Sequence, residues 1–447
     1  MNLKRFQDII AVKTEPTDSA SGSGQSVITA FHARNLEIAE MSEAAFNEMT
    51  DIQFKTSQVP ESKEHSADAE ALQSLKDWNA ENNPDVKSGK VSFGIRSLTL
   101  NVTQICNLKC TYCAAGGDGT YGEAINKVNV EKTLPQLKFF LENLKDGSHF
   151  NLSFVGGEPF LYPEAMKAIY DYIILQAAGR NITSKFMVTT NGTLMTDKAI
   201  ELLKTMKIHV TVSLDGEASI NDIVRPGKDG KGSTAATLQG IKRLVEIRDH
   251  LASIGIAAVY SSKNMFVKDS YLFFKTLNVD AYEFNFSYSE KSQEAQNEFI
   301  KQMGQIAQLA WAAGGETELR KIKTFNAYFE VFDSQQRIDN FCGAGKSYLM
   351  IDAKNRLYTC PWVVGESEEV VGVGSQLDYD KLGKYQKPLI ELNNCQSCWA
   401  RYVCGGGCMF IHREHTGDKH KKDNMFCERT RNLIFLGILY YKRARAS

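Results

Sequence analysis

Residues 98–113 read LTLNVTQICNLKCTYC, and this stretch decides the fold. Its first part, LTLNV, has the pattern of a strand. The loop that follows carries three thiols as C-x3-C-x2-C, at Cys106, Cys110 and Cys113. Three thiolates this close on a loop can hold three irons of a cubane [4Fe–4S] cluster. The fourth iron then lacks a protein ligand and can take an external molecule. A zinc knuckle is the alternative, but zinc needs a fourth ligand. The next candidates, His149 and Cys342, lie far along the chain.

Outward from this stretch, strand, loop and helix repeat from about 95 to 290. EKTLPQLKFFLENLKD sets Leu134, Leu137, Leu141 and Leu144 on one helical face. FNLSFVGGEPF precedes a helix starting near Pro163, a residue favoured at the first helical position. KFMVTTNGT, HVTVSLDG, IAAVYSS and AYEFNFSY supply four more strands, mostly separated by helical segments such as DKAIELLKTM and STAATLQGIKRLVEIRDHLAS. Six βα units predict an α/β fold with a parallel sheet, open or curled into a partial (β/α)6 TIM barrel. Ligands bind at the C-terminal strand ends of such sheets, where CNLKCTYC, GGEP, TNG and SLDG all fall.

The chain of 447 residues has room for two to four domains of about 150 residues each. Lys plus Arg number 52 against 53 Asp plus Glu, so no global field draws nucleic acid or an anionic membrane. The N-terminus lacks the features of a signal peptide. The longest apolar run, Leu433 to Tyr441, is about half a membrane span. These features predict a soluble cytoplasmic protein. Clustered cysteines in that compartment favour metal or redox chemistry over disulfides.

Residues 1–90 are expected to form a separate α+β module. RFQDIIAVKT and SVITAFHARNLEIAEMS alternate well enough for strands, with Ser19 to Ser26 as a flexible connection. SEAAFNEM, capped by Ser42, and DAEALQSLKDWNAEN supply helices, and ENNPDVKSGK reads as a linker. Residues 291–341 begin with a helix (EAQNEFIKQMGQIAQLAWAA). Residues 342–447 hold the other seven cysteines and end in the helix-like RTRNLIFLGILYYKRARA.

CNLKCTYC, with Tyr112 just before its third cysteine, resembles the signature of radical S-adenosylmethionine (SAM) enzymes. GGEP at Gly156 to Pro159 resembles the motif with which that family meets the methionine amino group of SAM. The resemblance implies that SAM chelates the open iron. It is cleaved there to methionine and a 5′-deoxyadenosyl radical, which takes a hydrogen atom from substrate. It also implies SAM contacts at Gly156, Gly157, Ser213, Arg225, Asn191 and Tyr112, the last beside the adenine. An Arg fork suits a carboxylate. The plainer readings are a tight turn for the glycines and a surface charge for the arginine. Glu158 reads as an anchor of its loop.

Cys395-QS-Cys398-WARYV-Cys404-GGG-Cys408, closed by Cys427, resembles the SPASM domain of radical SAM maturases, which carries two auxiliary [4Fe–4S] clusters. Carried over, the pattern gives Cys395, Cys398, Cys404 and Cys427 to the distal cluster and Cys342, Cys360 and Cys408 to the proximal one. Three clusters thus use all ten cysteines. Departures are a longer spacing between Cys342 and Cys360, and Asn355 where the family has glycine; asparagine tolerates the same left-handed region. The proximal cluster is one ligand short, so a non-cysteine residue or a substrate thiolate completes it. Two zinc sites, with an imidazole such as His412 as eighth ligand, are the alternative. Gly405 to Gly407 let backbone pack on a cluster and donate amides to its sulfurs, or simply turn between ligands.

A winged-helix-like module ahead of these domains resembles the precursor-recognition element of ribosomal-peptide (RiPP) maturases. It implies that a leader peptide adds as a strand to a sheet edge contributed by Phe31 to Met41. A packing or dimerisation module is the alternative. The resemblance as a whole is to a radical SAM/SPASM peptide maturase, similar to sactisynthases, ranthipeptide synthases or quinohemoprotein maturases. It implies oxidative formation of a thioether, with a flavodoxin or ferredoxin as reductant. Carbon–carbon cross-linking, formylglycine formation and a non-catalytic iron–sulfur or zinc adaptor are the alternatives.

Overall fold

A computed structural model describes residues 2–14, 27–55, 67–89, 94–113 and 127–446. The chain divides into two compact units: residues 92–302 with 342–386, and residues 1–91 with 303–341 and 387–447. The expected connection at Ser19 to Ser26 lies outside the described residues.

The first hairpin pairs β1 (Asn2–Phe6) with β2 (Ile9–Thr14), and the second pairs β3 (Val27–His32) with β4 (Glu37–Glu40). Each stretch expected as strand is therefore a hairpin. The first turns tightly at Gln7, whose φ is 47°. With β5 (Thr50–Asp51) they form an antiparallel sheet in the order β4-β3-β2-β1-β5. Side chains along β2 alternate between two cores. Ile9 and Ala11 pack with Ala45, Phe46 and Leu75 of helices Glu43–Glu48 and Ala69–Ala80. Ile10 and Val12 pack with Phe332, Trp399, Ile434 and Ile438. A strand buried on both faces reads as an unbroken apolar run, which is why IIAV lacks alternation. Ser42 caps its helix as expected, accepting from the Ala45 amide. Part of the expected linker is docked within this unit, with the Lys87 amide on the Gln335 carbonyl.

The other unit is built on β6 (Ser97–Thr103), β7 (His149–Gly156), β8 (Thr183–Thr190), β9 (Ile208–Ser213), β10 (Ser253–Tyr260) and β11 (Ala281–Phe286). They pair in chain order and all parallel, as six βα units predict. Helices such as Pro163–Ala178, with proline at its first turn, cover the outer face. Helix Val130–Glu142 buries Leu137, Phe140 and Leu141; Leu144 falls beyond its end. Ile208, Val210 and Val212 are buried beneath the helices, while His209, Thr211 and Ser213 point the other way and stay partly exposed. β11 repeats this, with Ala281, Glu283 and Asn285 on the open face.

Four short strands extend this sheet beyond β6. β12 (Tyr348–Ile351) runs parallel to β6; β13 (Arg356–Tyr358), β14 (Val370–Val373) and β15 (Gln376–Leu377) follow antiparallel. At two to four residues each, they are too short for periodicity to reveal. Asn355 turns β12 into β13 at φ 60°, in the left-handed region that its side chain tolerates.

Candidate functional site

The three-cysteine loop leaves β6 at its C-terminal end, and two neighbouring segments hold it. The amides of Lys109 and Thr111 donate to the carbonyls of Pro226 (2.8 Å) and Val224 (2.9 Å). The amides of Gly157 and Glu158 donate to Thr103 (2.6 Å) and Ile105 (2.8 Å). A Cβ on Gly156 would stand 2.3 Å from the Thr103 carbonyl oxygen, and one on Gly157 2.1 Å from that of Ile105. Both glycines are thus required where the GGEP loop meets the cysteine loop. Gly156 also needs its φ of 147°.

Hydrogen-bond donors converge on the sulfurs. The Leu108 amide reaches Cys106 Sγ at 3.4 Å, Asn191 Nδ2 reaches it at 3.8 Å, and Arg225 Nη1 reaches Cys110 Sγ at 3.9 Å. Burial pushes the Cys106 thiol up to about 12, and Glu158, Cys110 and Cys113 push the same way. Burial also raises Cys110, against the opposing charge of Arg225. Buried thiolates need compensating positive charge, which an iron cluster supplies. The donor set of soft sulfurs ringed by N–H groups therefore fits a cubane.

Asp215, fully buried and the acidic member of SLDG, organises the rest. It accepts Tyr112 Oη at 2.5 Å, Arg225 Nε at 3.0 Å and Nη2 at 3.2 Å, and the Val259 amide at 2.8 Å. Burial would lower the Arg225 pKa, but Asp215 outweighs it and holds the guanidinium above its ordinary range. Arg225 also lies over the Tyr112 ring, 5.1 Å from its centroid. Within this motif Ser213 is the residue expected from sequence, whereas Asp215 is the one that holds the site together. The available signal was an acidic residue at a strand end, ten positions before an arginine.

Glu158 is fully buried and accepts from Thr190 Oγ1 (2.7 Å) and the amides of Asn191 (2.7 Å) and Phe160 (3.0 Å). It ties the GGEP loop to TTNG, an anchoring geometry. Ser213 stands at the open face, level by register with Ala257 and Glu283. Glu283, absent from the expected residues, is the acidic side chain on that face of β11.

In the other unit, Cys395, Cys398, Cys404 and Cys427 line one cavity with Arg401, Lys422 and Arg431. Burial pushes Cys395 up to about 12 and Cys427 up to about 11, and raises Cys404 further. The charges of Cys398 and Cys427 raise Cys395 and Cys404 as well. Gly405, Gly406 and Gly407 all have positive φ (73°, 96° and 83°), so this turn between Cys404 and Cys408 demands glycine. His412 is buried, and its Nδ1 accepts the Asp423 amide at 3.2 Å. Among the described residues, no group of three or more His, Cys, Asp or Glu side chains is arranged to hold a metal ion. Tetrahedral zinc needs four ligands around one point, whereas a cubane spreads its thiolates over separate irons. Four cysteines lining one cavity are soft sulfur donors of the kind a cubane takes. Cys342 and Cys360 belong to the barrel unit, where both act on Tyr348, and Cys408 belongs to the other.

Residues 100–260 match the Radical SAM superfamily. The chain is 35% identical over 191 residues to the antilisterial bacteriocin subtilosin biosynthesis protein AlbA of Bacillus subtilis, covering 42% of this chain and 38% of that one. It is 26% identical over 332 residues to the mycofactocin maturase MftC of Mycobacterium tuberculosis, covering 70% and 78%. The solved structure of anSMEcpe with bound AdoMet has a similar fold, with a TM-score of 0.66 at 19% identity over 78% of this chain and 95% of that one. The same protein has been solved with AdoMet and the Cp18Cys peptide. No helix among the described residues is long and apolar enough to cross a membrane.

Proposed function

We propose that this enzyme, whose barrel is a radical SAM domain, oxidatively installs a thioether cross-link in a ribosomally made peptide or protein. SAM and its [4Fe–4S] cluster, when bound, supply a 5′-deoxyadenosyl radical that abstracts a hydrogen atom. In this reading Cys106, Cys110 and Cys113 hold that cluster. Arg225, fixed by Asp215, and Asn191 donate to its thiolates. Gly156, Gly157, Ser213 and Tyr112 orient SAM at the strand ends, and Glu158 keeps the GGEP loop in register with TTNG. Cys395, Cys398, Cys404 and Cys427 ligate the distal auxiliary cluster, and Cys342, Cys360 and Cys408 the proximal one.

The count of thiols supports the choice of a thioether. On the SPASM pattern the ten cysteines divide as three, four and three, so in this reading the proximal set is one ligand short of closing a cubane. A substrate thiolate there would bring sulfur to the carbon radical. The names of the relatives support a peptide substrate, since subtilosin is called a bacteriocin and anSMEcpe was solved with a peptide. β4 ends its sheet and offers an edge to which an extended leader can add as a strand. An acidic one-electron carrier, flavodoxin or ferredoxin, is the reductant in this reading.

The test is anaerobic reconstitution followed by mass analysis of a candidate precursor. Three cubanes require about 12 iron per chain, and reductant-dependent release of 5′-deoxyadenosine is expected. Loss of two hydrogens together with an alkylatable thiol supports the thioether. The same loss with thiols intact overturns it in favour of a carbon–carbon bond, and conversion of Cys or Ser to formylglycine overturns it in favour of that oxidation. Bound zinc without SAM cleavage sinks the enzymatic reading altogether.

A further inference from the structure

The first hairpin of the chain reaches residues nearly four hundred positions away, in the turn that carries Cys395 and Cys398. Arg5, on β1 and 1% exposed, donates Nη2 to the Ser397 carbonyl at 2.6 Å. Asp8, at the hairpin turn, pairs with Arg401 Nη1 at 2.8 Å, and the same nitrogen donates to the Cys398 carbonyl at 2.9 Å. Arg431 donates to the Phe54 carbonyl and lines the same cavity as the four cysteines. Arg5, Arg401 and Arg431 are each under a tenth exposed, and the charges of Arg401 and Arg431 both act on Arg5. Burial draws the Arg5 pKa down, and the leading influence holding it up is Cys398.

Three buried guanidinium groups are costly together unless an anion stands among them. Asp8 supplies one negative charge, shared between Arg401 and Arg34, and Lys422 adds a further positive charge at the cavity. A cubane held by four thiolates is a dianion when oxidised and a trianion when reduced, so the surrounding positive charge favours it most on reduction. Hydrogen bonds and nearby charge are the levers that set cluster potential. The hairpin also shares a hydrophobic core with Trp399 and Val403, so its position is rigidly tied to the cysteine turn.

We propose that the β1–β2 hairpin is an electrostatic clamp on the auxiliary cluster of Cys395, Cys398, Cys404 and Cys427, in which Arg5, beside the Asp8-held Arg401, positions the cysteine turn and raises the reduction potential of that cluster. The inference rests on the reading that these four cysteines hold a cubane. It makes the N-terminal module part of the redox machinery as well as a site for precursor binding.

The test uses the full chain with Cys106, Cys110, Cys113, Cys342 and Cys360 replaced by Ala, reconstituted anaerobically and titrated electrochemically with EPR detection. This parent is expected to hold about four iron. Arg5→Gln keeps a donor for Ser397 but removes the charge. At a fixed potential its reduced-to-oxidised ratio should fall about tenfold, equivalent to about 59 mV for one electron. Arg5→Lys keeps the charge and should titrate close to the parent. A loaded Arg5→Gln cluster with unchanged potential overturns the clamp while leaving the ligand assignment intact. A parent that binds no iron overturns the ligand assignment and the clamp with it. If Arg5→Gln does not fold, Asp8→Asn at the turn of the same hairpin removes a negative charge from beside Arg401 and should raise the potential; an unmoved potential there counts equally against the proposal.

Discussion

Replacing Asp215 with Asn tests the proposed SAM site most directly, because the change is nearly isosteric and removes one charge. The carboxylate is fully buried and engages Arg225 through two nitrogens, with side-chain exposures of 9% and 0%. Taking one partner from a buried pair strands the other, at a typical cost of about 3–5 kcal/mol. The loss should propagate. Val224 and Pro226, on either side of Arg225, hold the backbone of Thr111 and Lys109 in the cysteine loop. Asp215→Asn should therefore lower the unfolding free energy of the barrel by about 3–5 kcal/mol and cost the reconstituted enzyme about four iron per chain. SAM cleavage should fall with that iron. Arg225→Met in the Asp215→Asn background removes the stranded charge and should recover part of the stability, a coupling that a double-mutant cycle reads. Denaturant unfolding, iron counting and 5′-deoxyadenosine release measure these three effects. An Asp215→Asn enzyme within about 1 kcal/mol of wild type, fully loaded and cleaving SAM normally, would refute the reasoning.

Gly157→Ala should displace the Cys106 backbone, because its Cβ would stand 2.7 Å from the Cys106 amide nitrogen as well as against the Ile105 carbonyl. Overpacking of this kind costs about 1–3 kcal/mol, and the diagnostic readout is selective loss of the SAM-cluster EPR signal with auxiliary iron retained. Acid should weaken the contact between Arg445 and the pair Glu316 and Asp333. Hydrogen bonding from Arg445 leads in holding Glu316 below its ordinary 4.5. Burial raises Asp333, but Arg320, Arg445 and Tyr441 together hold it below 3.8. A depressed carboxylate stabilises the fold above its unfolded pKa, and that contribution is lost as pH falls through the folded one. Arg445→Gln should thus cost at most about 1 kcal/mol near neutrality, since the groups are partly exposed. Its deficit in chemical denaturation should begin to shrink below about pH 4 and vanish only as pH falls through the lower folded values of both carboxylates; a deficit independent of pH would count against the ion pair.

Much of the barrel was legible in the chain. LTLNV, KFMVTT, HVTVS and AYEFNF are long enough for their apolar pattern to register, and the proline at 163 opens its helix as expected. β12 to β15 were not legible, because strands this short carry no period and depend on the edge of β6 to pair. The hairpins at Gln7 and after His32 look like single strands in the sequence, since neither turn carries the glycine or Asn-Gly signal that marks a hairpin.

The spacing of cysteines within each cluster of thiols is a local property, because neighbouring positions on a loop or turn must lie close whatever else the chain does. Sequence alone therefore determined that Cys106, Cys110 and Cys113 share one short stretch, and that Cys395, Cys398 and Cys404 share another. Only the tertiary structure decided which charges surround them. Asp215 meets Arg225 and Tyr112, and Arg5 meets Ser397, through strands that pair and cores that pack across a hundred residues or several hundred. Such contacts leave no periodic trace, since the free energy that makes them comes from burial of the intervening elements and not from the residues that touch.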